Sequence, residues 1–321
     1  MRKSEFELIR DIFAPLTESD PKAFALRDDA ALLDVPTGFE LVVTTDMLLE
    51  GVHFQMQDPA DAIGQKVLRA SLSDLAGKGA APISYVLSCA WPNALPQAWI
   101  ESFVSGLASD QKQFKVHCIG GDTSASTSGL AFSLTAFGLV ETGKMLLRSG
   151  ARPGDDLFVS GTIGDAWLGL QILKKRLDCE DEGASGWLIG RYLRPEPRTC
   201  LGRKLVELAT ASLDVSDGLV ADAGHLAEAS KVSITLRMDD IPISQPARDL
   251  GPDLAELITG GDDYELLFTG PPGRRSEILD AAHETGVPVR RVGIVADGTG
   301  VTVVDAGGRK IDLTSTGFRH F

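Results

Sequence analysis

Short β-branched runs alternate with segments of helical period along this chain, and the alternation starts afresh after a loop-like stretch at Arg148-Ser-Gly-Ala-Arg-Pro-Gly154. No other feature narrows the fold as much. Interleaved strands and helices require sheets with helices packed on them, and two such series parted by a Gly- and Pro-containing break indicate two domains. The boundary is expected near residue 150, giving an N-terminal domain over 1–150 and a C-terminal domain over 151–321. At 321 residues the chain is long enough for each to bury its own core.

Apolar groups at Phe6, Ile9, Ile12 and Phe13 predict a first helix over 2–14. Residues 30–35 and 39–45, joined by Pro-Thr-Gly, predict a hairpin with Asp46 at its strand end. A helix over 58–79 carries Asp74 near its end. A strand over 83–91, a helix over 96–114 and a strand over 130–140 follow. In the second series strands are expected at 156–160, 233–237, 264–269, 289–295 and 301–304. Helices are expected at 165–175, 188–192, 198–209 and 274–285, with one more from Gly218 to about 230. The tight connection before residue 39 disfavours a purely parallel sheet, so the expected class is α/β with mixed sheets.

Several functions are excluded early. No apolar run approaches the ~18 residues of a membrane span, and the N-terminus lacks the apolar stretch of a secretory signal. A cytoplasmic location without a membrane partner is the default expectation. The net charge of −14 argues against nucleic acid as a partner, because that binding neutralises phosphates with Lys and Arg. Cys89, Cys118, Cys179 and Cys200 are too scattered for a zinc knuckle or a redox pair, and the five histidines show no ligand spacing. There is no P-loop and no protein-kinase signature. Gly161-Thr-Ile-Gly-Asp165 is too short for a dinucleotide fingerprint and reads as a close strand-to-helix turn.

The acidic residues are the informative ones. Six local patterns stand out: Arg27-Asp-Asp-Ala-Ala31, Thr44-Thr-Asp46, Ser73-Asp-Leu75, Gly120-Gly-Asp-Thr123, Asp214-Val-Ser-Asp-Gly218 and Gly260-Gly-Asp-Asp-Tyr-Glu265. Taken singly, each also fits a helix cap or a turn. Together they offer oxygen ligands of the kind Mg²⁺ prefers, beside glycines that let phosphate reach backbone N–H groups. Convergence would require a cation, since two carboxylates about 4 Å apart repel by about 4 kcal/mol at an effective dielectric of 20.

In their order along the chain, these motifs resemble those of the thiamine-monophosphate kinase family, within the superfamily of aminoimidazole ribonucleotide synthetase, selenophosphate synthetase and the hydrogenase maturation dehydratase. The resemblance spans Phe6 to Phe321, and Thr44-Thr-Asp46 followed by Gly51-Val-His-Phe54 and Asp214-Val-Ser-Asp-Gly-Leu219 point to the kinase. It implies an N-terminal α/β domain that dimerises through its sheet, a C-terminal α/β domain completing a cleft, ATP as co-substrate and several Mg²⁺ ions. It further implies metal positions at Asp29, Thr44, Thr45, Asp46, Asp74, Asp122, Asp214 and Asp217, with Asp46, Asp122 and Asp217 catalytic. Gly121, Asp122, Arg148 and Ser216 match the nucleotide set, and His53, Asp262 and Phe318 the thiamine monophosphate set. The chain departs from the family in having Arg27 for Gly and Asp262 for Glu.

The implied reaction is ATP plus thiamine monophosphate giving ADP plus thiamine diphosphate. The acceptor phosphate is already largely ionised, so the work is positioning and charge neutralisation, with Asp46, Asp74, Asp122 and Asp217 sharing the bridging ions. Two alternatives stay open: another ATP-dependent synthetase of the superfamily, or a non-catalytic protein that binds divalent cations. Against the former, no Cys lies near the N-terminal Asp pair and none ends the chain.

Overall fold

The computed structural model describes residues 3–318. The chain divides into two compact units, one of Met1–Leu75 with Ala80–Gly143, the other of Ala76–Gly79 with the chain from Lys144 onward.

The first unit opens on α1 (Glu5–Leu8), which runs on through π-helical Ile9–Phe13 and 3-10 Ala14–Thr17. The start of the expected 2–14 helix lies outside the described residues. Then come β1 (Phe39–Leu49), α2 (Ala60–Gly77), β2 (Ala81–Pro92), α3 (Gln97–Phe114), β3 (His117–Ser126) and β4 (Ala131–Glu141). The sheet order is β1-β4-β2-β3, antiparallel except for β2 beside β3. The hairpin expected over 30–45 does not form. Residues 30–36 join no ladder, and β1 pairs with β4, some ninety residues further on in the chain, across all eleven of its residues. Local β-propensity had no partner there to act on. Asp46 therefore lies inside a strand that continues to Leu49.

One face of this sheet is covered and the other is open. Val42 and Leu48 of β1 are buried, while Val43 and Met47 between them are 54% and 60% exposed. The covered face carries an aromatic core, with Phe103 stacked on Phe132 at 4.5 Å and Trp91 edge-on to Phe103 at 5.5 Å. Helices α2 and α3 touch backbone to backbone: a Cβ at Gly106 would lie 2.0 Å from the Asp61 carbonyl oxygen. Arg69 crosses this contact to a buried Asp110, with Nε 2.6 Å from Oδ2.

The second unit contains β5 (Asp156–Ser160), α4 (Asp165–Leu173), α5 (Glu182–Leu193), α6 (Thr199–Leu205), β6 (Ala211–Val215), α7 (Leu219–Ser230), β7 (Ser233–Arg237), α8 (Gln245–Leu250), α9 (Leu254–Thr259), β8 (Glu265–Gly270), α10 (Arg275–Thr285), β9 (Val289–Ala296) and β10 (Gly300–Val304). Its sheet order is β10-β7-β9-β5-β8-β6, antiparallel except for β10 beside β7. Both sheets are thus mixed. Here both faces are covered: Leu157, Val159 and Leu267 join one hydrophobic cluster, while Phe158, Leu266 and Phe268 join another. That is the period-2 alternation of strands between two helical layers. Strands β3 and β6 and helices α8 and α9 were not foreseen from the pattern.

Candidate functional site

In the first unit, Thr44 and Asp46 project from β1 toward α2. The Ser71 hydroxyl donates to Asp46 Oδ2 at 2.6 Å, and the Thr44 hydroxyl donates to the Asp74 carboxylate. Ser71 and Asp74 are one helical turn apart, so both meet the same strand. Burial and the neighbouring Asp74 charge push the Asp46 carboxyl up to about 6, against the lowering pull of the Ser71 hydroxyl. Burial disfavours the charged carboxylate, and a second negative charge nearby adds to that in the same direction. Thr45, between them in sequence, faces the other way and accepts from the Thr135 hydroxyl at 3.0 Å.

Asp122 sits on the opposite edge of the sheet. Its register partner on β2 is Ser88, then Ser133 on β4 and Met47 on β1, which places it on the open face. Asp46 shares a rung with Leu134, Leu87 and Gly121, and Leu134 and Leu87 are buried on the covered face. Within the first unit Asp122 is thus held apart from the Asp46 and Asp74 pair. Gly121 packs hard on β2, since a Cβ there would lie 1.9 Å from the Leu87 carbonyl oxygen. Gly121, Asp122 and Asp29 all line a cavity of about 940 Å³, walled on its apolar side by Phe6, Ile9 and Phe13. His53 follows β1 in a turn, where its Nδ1 accepts the Leu49 N–H at 3.0 Å.

In the second unit, β6 carries a buried Asp214 and runs through Ser216-Asp217-Gly218 into α7. The N–H groups of Ser216 and Asp217 both donate to Asp222 Oδ2, each at 3.1 Å. The Asp262 N–H donates to the Ser216 carbonyl and the Phe318 N–H to the Asp217 carbonyl, both at 2.9 Å. Ser216, Asp217, Asp262 and Phe318 are therefore brought together through their backbones. Burial, with the charges of Asp214 and Asp217, raises Asp222 well above the usual carboxylate range, against the Asp217 amide and the Arg148 charge. Arg148 itself is exposed, and its carbonyl accepts from the Ser230 hydroxyl at 2.8 Å.

Sequence reasoning missed Ser71, Asp222 and His225. Carboxylate oxygens of Asp217 and Asp222 and a ring nitrogen of His225 lie within 4.8 Å of one another. Helical spacing was the available signal: Ser71 stands three residues before Asp74, and Asp222 three before His225. The thiols offer no competing chemistry in the core, where burial pushes Cys118 up to about 11 and raises Cys89 well above the ordinary thiol value.

Two mixed α/β units carrying these carboxylate groups define an AIR synthase related protein: the N-terminal domain model of that family matches residues 27–140 and the C-terminal domain model 152–306. The thiamine-monophosphate kinase of Caulobacter vibrioides is 40% identical over 99% of this chain and 91% of its own length. A crystal structure of thiamine-monophosphate kinase from Stenotrophomonas maltophilia K279a superposes with a TM-score of 0.85 at 40% identity, covering 94% of this chain and 97% of that one. AaThiL complexed with AMPPCP and TMP gives 0.78 at 33% identity, covering 100% and 99%. The chain belongs to the thiamine-monophosphate kinase family.

Proposed function

We propose that the protein transfers the γ-phosphoryl group of ATP to thiamine monophosphate, giving ADP and thiamine diphosphate. The observation that carries this reading is the oxygen-only donor set of Thr44, Asp46, Ser71 and Asp74, joined by hydrogen bonds between β1 and α2, in a chain of this family. AaThiL is known with both AMPPCP and TMP, which supports a nucleotide donor and TMP as acceptor for this chain too.

The donor set fits Mg²⁺, a hard cation that takes carboxylate and hydroxyl oxygens. Asp29, Thr44, Thr45, Asp46, Asp74, Asp122, Asp214 and Asp217 would hold several such ions, which when bound neutralise and polarise phosphate oxygens. The chain's own part is to bind and align. The close packing of Gly121 leaves its segment without a side chain where Asp122 begins, and the cavity beside it has the size and apolar wall for a nucleotide base. Arg148 supplies a permanently charged fork for phosphate and Ser216 a hydroxyl. His53, Asp262 and Phe318 take the acceptor, the 46% exposed ring of Phe318 offering its face to a cationic thiazolium. Because the acceptor phosphate is ionised near neutrality, no group need act as a strong base.

The first domain takes ATP, metal and a second copy of the chain, through the open sheet face on which Phe39, Val43, Met47 and Leu49 are exposed. The second domain contributes Asp214, Ser216, Asp217, Asp262 and Phe318. A cytoplasmic location accords with four free cysteines; among the described residues no helix is long and apolar enough to cross a membrane.

ADP production with Mg²⁺ and ATP, with and without thiamine monophosphate, tests the proposal. Formation that depends on the acceptor is expected. ADP released regardless of acceptor would favour another synthetase chemistry, and Mg²⁺ binding with no nucleotide turnover would favour a non-catalytic role.

A further inference from the structure

The Ser216 and Asp217 peptides are held at both ends. Their N–H groups meet on one oxygen of Asp222, at 3.1 Å each, and their carbonyls accept the Asp262 and Phe318 N–H groups at 2.9 Å. The flanking chains come so close that only glycine fits. A Cβ at Gly261 would lie 2.4 Å from the Ser216 carbonyl oxygen, and one at Gly317 2.7 Å from the Asp217 carbonyl oxygen. Asp222 stands in the first turn of α7, its own N–H donating to the Gly218 carbonyl at 3.0 Å, so its carboxylate folds back over the loop. Only 2% of the residue is exposed.

We infer that Asp222 is a positioning residue that couples the metal and nucleotide residues of the second unit to the acceptor residues: by fixing the Ser216 and Asp217 peptides it also sets the backbone of Asp262 and Phe318. The ligand roles rest on the kinase reading above, whereas the hydrogen-bonded ladder does not. An ordinary helix cap would affect stability alone. A coupler affects the affinity for two chemically different ligands at once, because both hang on the same two peptides.

Asp222→Asn keeps an oxygen acceptor and Asp222→Ala leaves two N–H groups without one. Where both variants give cooperative thermal unfolding, Asp222→Ala should raise KM for both Mg·ATP and thiamine monophosphate roughly 10- to 100-fold. Asp222→Asn should recover most of that loss. Amide hydrogen exchange in Asp222→Ala should accelerate at Asp262 and Phe318 as well as at Ser216 and Asp217. A folded Asp222→Ala with both KM values near wild type, or with only one raised, would overturn the coupling. If that variant does not fold, the wild-type protein decides: Ser216 and Asp217 amides exchanging as fast as exposed loop amides overturn it, and protected ones support it. Should the wild type fail to turn over thiamine monophosphate, the kinase reading falls, while the exchange pattern at these four amides still judges the ladder.

Discussion

The Ser71 hydroxyl donates to Asp46 Oδ2 at 2.6 Å, from the helical face that also presents Asp74. This bond pulls the Asp46 carboxyl down, but burial and Asp74 outweigh it and leave the group at about 6 rather than 3.8. The folded protein therefore keeps a proton on Asp46 over a range where the unfolded chain has lost it. Stability from this group is fully present below the unfolded value and is lost as pH rises through the folded one. Thermal unfolding without metal should show wild type losing on the order of 2 kcal/mol relative to Asp46→Asn between about pH 4 and pH 6. Added Mg²⁺ should abolish the difference by favouring the carboxylate. An identical pH profile for the two proteins would contradict the placement of Asp46.

Asp122 is exposed, and its carboxylate accepts the N–H of its own neighbour Thr123 at 2.8 Å. Asp122→Asn should leave the unfolding temperature nearly unchanged, within about 0.5 kcal/mol of stability. Turnover should fall by about 100-fold or more, as for loss of a group that meets charge in the transition state. Near-normal turnover would remove Asp122 from the site.

Glu265 is fully buried and accepts Arg191 Nη2 at 2.8 Å, Arg198 Nε at 2.7 Å and the Ser160 hydroxyl at 2.6 Å. Glu265→Gln removes the buried countercharge that Arg191 and Arg198 share, leaving Arg198 with Glu196 at 3.9 Å. A loss of about 3–5 kcal/mol is expected in denaturant unfolding. Arg191 also reaches the Asp263 carbonyl at 3.3 Å, beside Asp262, so KM for thiamine monophosphate should rise in the same variant.

Met47 is 60% exposed on the open face of the first sheet, on the same rung as Asp122 and three strands away from it. If that face joins two copies, Met47→Glu puts a charge into an apolar interface and should convert dimer to monomer in analytical ultracentrifugation. Activity should fall with it. A wild-type protein that sediments as a monomer at micromolar concentration would refute this role of the face.

The period of the sequence was enough to fix most elements. Leu157 to Val159 and the Phe103 face of α3 read as strand and helix because their side chains must reach a core on one or two sides, and periodicity records that need directly. The Asp motifs were legible for the same kind of reason, as short oxygen-bearing side chains beside glycine. Which strand pairs with which was not legible. Residues 30–35 have the look of a strand, but β1 took β4 instead, and that choice depends on partners distant in sequence. The site divided along the same line. The sequence and the resemblance named Asp46, Asp74, Asp122 and Asp217 and grouped all four around shared ions, without their placement on the elements. Only the tertiary structure decided that α2 sets Asp74 beside Asp46, that register turns Asp122 to the open face, and that Asp222 gathers the amides of Ser216 and Asp217. Proximity between distant residues is a property of packing, and local composition carries no trace of it.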